Sequence, residues 1–112
     1  MTNAVREIQV SIEEARETVA LNDALERLNQ NADFRKVILD DYFKDNAIRL
    51  VELKAAPQAQ AEQVQANIMR DIDAIGALKQ HFNMLRVMAE QAKASIDDSQ
   101  ETLNDMAEAG EM

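Results

Sequence analysis

Few residues in this chain are of a type and spacing that could do chemistry. The single histidine, His81, stands beside Phe82, and no nucleophile or carboxylate is placed where it would couple to the imidazole. A surface or boundary position is the simpler reading. Three sets of close aspartates, Asp40-Asp41, Asp71-x-Asp73 and Asp97-Asp98, raise the question of a cation site. On a helix, side chains one or two positions apart diverge, so these acids read as solvated faces. The glycine-bearing loop of a calcium-binding helix pair is missing. So are a glycine-rich phosphate loop, an HExxH helix and a GxSxG elbow. The expectation is a non-enzyme with no metal, cofactor or small-molecule substrate.

Binding chemistry is the next possibility. Arg35, Lys36, Lys44, Arg49 and Lys54 lie among Phe34 and Tyr42, a mixture that can stack and neutralise nucleic acid. They alternate with Asp33, Asp40, Asp41, Asp45 and Glu52, which favours ion pairing between neighbours or subunits. The net charge of −9 is unevenly spread. Residues 1–30 carry six acids and three bases, residues 31–89 eight of each, and residues 90–112 seven acids and one base. No concentrated basic surface results, which argues against direct nucleic-acid binding. The acidic end, with Asp97, Asp98, Glu101, Asp105, Glu108 and Glu111, reads first as a solvated helix terminus and second as a contact for a basic protein surface.

Helices must position all of these groups. Aromatics make up only 4% of the chain, against 46% apolar residues, and two glycines with one proline leave few places to turn a strand. Cysteine is absent, which excludes disulfides and thiolate metal sites and fits a reducing compartment. No apolar run approaches the roughly 20 residues of a membrane span, and MTNAVREIQV has no apolar signal core. The sequence therefore predicts neither membrane insertion nor standard secretion.

Val5, Ile8, Ile12, Ala15 and Val19 step by three and four, the heptad rhythm of one narrow apolar stripe. The stripe then passes to Leu21, Leu25 and Leu28, which predicts an N-terminal helix over 1–28. Asn29 to Asp33 breaks the pattern, with Asn31 or Asp33 suited to cap a second helix. A short helical core over 31–56 follows, carrying Phe34, Val37, Ile38 and Tyr42, a further break at Asp45-Asn46, then Ile48, Leu50, Val51 and Leu53. Pro57 closes that region and opens the first turn of a long helix over 58–108. There Val64, Ile68, Ile72 and Ile75 give one stripe. After a register slip beside Gly76, nine positions from Leu78 to Met106 step by four and three, only Ser99 among them polar. Met69, Met84, Met88 and Met106 fall at or near it, as gap-filling core residues.

The predicted fold is an all-α, elongated helical hairpin or bundle forming one domain over 1–112, with a long coiled-coil-like C-terminal helix and short middle helices. A lone striped helix exposes its stripe to water, so the chain is expected to bind itself or a larger protein. Its apolar anchors are Phe34, Val37, Ile38, Phe82, Leu85, Ile96 and Leu103.

Several segments carry a family likeness. They are Leu25-Glu-Arg-Leu28, the run from Asn31 to Leu39, Tyr42-Phe43, and Ala47-Ile-Arg49-Leu50-Val51, with Pro57 and Ile72-Asp-Ala-Ile75-Gly76-Ala-Leu78 beyond. Over about residues 24–96 the chain resembles small acidic helical proteins encoded by tailed bacteriophages. The resemblance implies a virion structural or assembly component, in the host cytoplasm or carried into the particle, with itself or a virion protein as partner. The alternative is a regulatory adaptor or inhibitor that binds a host protein through an acidic helical surface.

Overall fold

The computed structural model describes residues 3–110 and is all-α. Helix α1 spans Asn3–Asn29. It ends where Gln30 and Asn31 donate their amides to Arg27 O and Leu28 O, at 3.1 and 3.0 Å. Asn31 then takes an extended backbone, and its Oδ1 accepts the Phe34 N–H at 2.9 Å, so Asn31 rather than Asp33 is the cap. Asp33 sits in the first turn, where its charge favours the helix dipole.

The break expected at Asp45-Asn46 does not occur. The short helix α2 (Ala32–Phe34) runs into an 11-residue π-helix, Arg35–Asp45, and on into α3 (Asn46–Ala55). Asp45 and Asn46 both keep helical backbone angles, and the Asn46 amide reaches five residues back to Asp41 O. The Asn46 side chain accepts a 2.9 Å bond from Arg49 Nη1 instead of competing for backbone. Ala56 turns extended, as a residue before proline prefers. Pro57–Ala59 forms one 3₁₀ turn, and α4 begins only at Glu62, later than the sequence suggested, running to Glu108. Two glutamines close the corner. Gln65 Nε2 donates to Lys54 O and Ala59 O, and Gln60 Nε2 to Lys54 O and Ala56 O, which satisfies carbonyls at the ends of α3 and of the 3₁₀ turn. Gly110, at φ +75, sits just past the far end of α4 in the left-handed conformation that glycine adopts without steric penalty.

The chain forms two compact units, residues 26–83 and the remainder on either side. In the first, Leu50, Ala59, Ile68 and Ile75 are buried, with Tyr42, Phe43, Ala47, Ala56 and Ile72 packed around them. Phe82 meets Phe34 at a 45° tilt with ring centres 6.3 Å apart and Phe43 edge-on at 5.8 Å, while Lys79 Nζ lies 5.6 Å from the centre of the Phe43 ring. The wide π turn decides which side chains reach this core. The half-buried positions Phe34, Ile38, Leu39, Tyr42, Phe43, Asn46 and Ala47 recur every four residues, so Val37, an inward candidate at α-helical spacing, is 58% exposed. Of the α3 quartet read as core, only Leu50 is buried; Ile48, Val51 and Leu53 are exposed.

In the second unit the N-terminal part of α1 and the C-terminal part of α4 lie side by side and antiparallel, Ile12 sharing a cleft with Leu103 and Val19 with Ile96. Val5, Ile12 and Ala89 are buried. The α1 stripe does not shift where expected. It continues through buried Asn22 and leaves Leu21 and Leu28 exposed, because the seam holds its three-four rhythm. On α4 the nine positions from Leu78 to Met106 are all buried or half-buried, Ser99 included. Val64 is exposed, and half-buried Gln65 takes the inward place next to Ile68. Met69, Met84 and Met88 point outward; of the four methionines assigned to packing, only Met106 is half-buried.

Candidate partner-docking surface

The side chains singled out from the sequence as candidates for chemistry lie on the surface. His81 is exposed, its ring 6.5 Å from that of Phe82. Among the described residues no three His, Asp or Glu side chains gather to hold a metal ion. Asp40, Asp41, Asp71, Asp73, Asp97 and Asp98 are all exposed. Of the two aromatics set among the basic residues of the middle segment, Phe34 packs against Phe82 and Tyr42 against Phe43.

The anchors proposed from sequence separate into three groups. Phe34, Ile38 and Phe82 are half-buried in the central unit, where Phe34 and Phe82 contact each other. Val37 is exposed on the same unit. Leu85, Ile96 and Leu103 are half-buried on the α4 stripe of the other unit. Two of that last group line clefts whose floors are not covered.

The first cleft, of about 370 Å³, is lined by Ile12 and Leu103 with Gln9, Glu13, Arg16 and Gln100 around them. The second, of about 200 Å³, has Val19, Ala20 and Ile96 between Arg16, Asp23, Lys93 and Asp97. Arg16 lines both, so they form one flank of the helix pair. The physical origin is simple. Two helices joined along a narrow stripe cannot enclose all of it, and Val19, Ile96 and Leu103 stay partly open to water on the side.

Charge divides around this helix pair. The unit holds twelve acids and four bases, a net charge of −8, while residues 26–83 hold nine acids and eight bases. Three of those four bases, Arg16, Arg86 and Lys93, occupy the cleft flank with the acids Glu13, Asp23, Glu90 and Asp97; Arg86 and Glu90 share it because they stand one heptad before Lys93 and Asp97. Arg86 pairs with Glu90 at 3.1 Å. No ion pair among the described residues engages Arg16, Asp23, Lys93 or Asp97. Arg6 lies at the border, in a shallow dip with Glu7, Val10 and Glu14. The back and far flank carry Glu7, Glu14 and Glu17 on α1 and Asp98, Glu101, Asp105 and Glu108 on α4, all exposed and with no base among them. Glu111 lies outside the described residues. Thr18 and Thr102 on the far flank bond back to Glu14 O and Asp98 O of their own helices.

Comparison with known proteins leaves this geometry as the guide. No protein-family model matches the chain, and neither curated proteins nor solved structures give a significant match. The cleft flank was missed in the sequence because it draws on two helices whose alignment was unknown. Its signal was present in the bases at positions 16, 86 and 93, all of which fall just beside the heptad stripe.

Proposed function

We propose that this chain is a non-enzymatic structural or assembly protein of a bacteriophage particle, acting by helix–helix association with itself or with a larger virion protein. One observation carries the association: an apolar floor with a charged rim runs along a helix pair that does not cover it. The phage setting rests on the resemblance of residues 24–96. The host cytoplasm, with or without incorporation into the particle, is the corresponding location. Among the described residues no helix is long and apolar enough to cross a membrane. Mass spectrometry of purified particles tests the reading. A fixed copy number per particle is expected, and absence from washed particles overturns the virion role.

A second reading is a regulatory adaptor or inhibitor that binds a basic host protein. The back of the helix pair, acidic but for Arg6 at its border, favours it. Binding that weakens steeply with salt, together with absence from particles, would mark this alternative.

A further inference from the structure

We infer that a second copy of this chain docks on the cleft flank, so that two α1/α4 pairs meet as a four-helix bundle with their acid-only sides facing outward. Such a dimer rests on the association reading above and names its surface and occupant.

Three observations select this flank and this occupant. The seam residues Val19, Ile96 and Leu103 are only half-buried along the clefts, and the second cleft presents mostly apolar surface. The rim carries both signs, so a two-fold-related copy can set Arg16 and Lys93 against carboxylates of its mate, and the reverse, through one self-complementary patch. Elsewhere on the pair, the back and far flank present only acids apart from Arg6 at their border, so a second copy placed there would bring like charges together. Size is also adequate. From Val5 to Leu25 the flank is about 30 Å long, and two helices side by side are roughly 20 Å wide. Two such faces would bury about 1,200 Å², at the lower edge of stable interfaces. Once covered, the seam residues would sit in the interior of an ordinary bundle.

The test uses the full chain and exposed or half-exposed rim positions, so that the seam within each copy is untouched. Wild type is expected to sediment as a dimer at high micromolar concentration. Arg16→Glu with Lys93→Glu makes the rim acidic, and Asp23→Lys with Asp97→Lys makes it basic. Each double variant alone should be monomeric with unchanged helical circular dichroism, and an equimolar mixture should recover a 1:1 dimer. Ala20→Arg, which puts bulk over the second cleft, should raise the dimer Kd at least tenfold, while Gln91→Arg should not. If the rim variants stay dimeric and Gln91→Arg breaks the dimer, the flank assignment is overturned and self-association survives. If wild type is monomeric throughout, the dimer is overturned and the association reading must stand on a different partner, as particle composition would show.

Discussion

At the scale of single residues, Asn22 and Gly76 depart most from what a helical seam prefers. Asn22 is only 4% exposed at a stripe position where an aliphatic side chain would pack better. A polar residue at one such site favours the helix alignment that satisfies its hydrogen bonds, at some expense in stability. Its burial also explains why Leu21 and Leu28, with better apolar credentials, remain outside. Gly76 lies inside α4 at the register slip, and a Cβ built there would meet nothing within 4 Å. Gly76→Ala should therefore stabilise the chain by about 0.5–1 kcal/mol through helix propensity. A chemical-denaturation midpoint that falls on this substitution would contradict open space at that position. Conversely, Asn31→Ala removes the side-chain acceptor for the Phe34 amide and should cost about 1 kcal/mol in the same measurement.

At the scale of elements, the π-helix is what the sequence pattern could not supply. Templates of 3.6 residues per turn assign Val37 to the interior, whereas hydrogen bonding five residues back widens the turn and carries Phe43 inward instead. The two side chains should respond oppositely to truncation. Val37→Ser is expected to stay within about 0.5 kcal/mol of wild type. Phe43→Ala, which removes contacts to Phe82, Tyr42 and Lys79, should cost about 3 kcal/mol. Thermal melts followed by circular dichroism would decide; equal effects would mean that the stretch winds as an ordinary α-helix. The C-terminal helix behaves differently because its sequence repeats one instruction. Leu78 through Met106 follow a single rhythm for four heptads, and the slip before Leu78 is absorbed without a break in α4.

At the scale of the whole molecule, charge is sorted between the units and then around one of them. Residues outside 26–83 carry a net −8, and the back and far flank of their helix pair are lined by carboxylates. Repulsion among these exposed groups is screened over about 8 Å at physiological ionic strength and over some 30 Å at 0.01 M. Raising salt from the lower to the higher value should therefore raise the melting temperature by a few degrees, and Glu101→Lys should reduce that gain. A melting temperature that falls with salt would show that attractive pairs outweigh the acid-only side.

Much of this architecture was legible in the residues themselves. Composition fixed an all-helical chain, because nearly every residue can extend a helix and almost none can build the turns that strands require. Rhythm fixed the seam of the long helix, since burial along an α-helix follows spacing directly. The late start of α4, the inward turn of Phe43, the exposure of Ile48 and Val51, and the outward methionines were settled only by tertiary structure. So was the flank on which Arg16 and Lys93 share a cleft. Which neighbour a side chain meets depends on winding and on the alignment of two distant segments, and one-dimensional spacing carries neither.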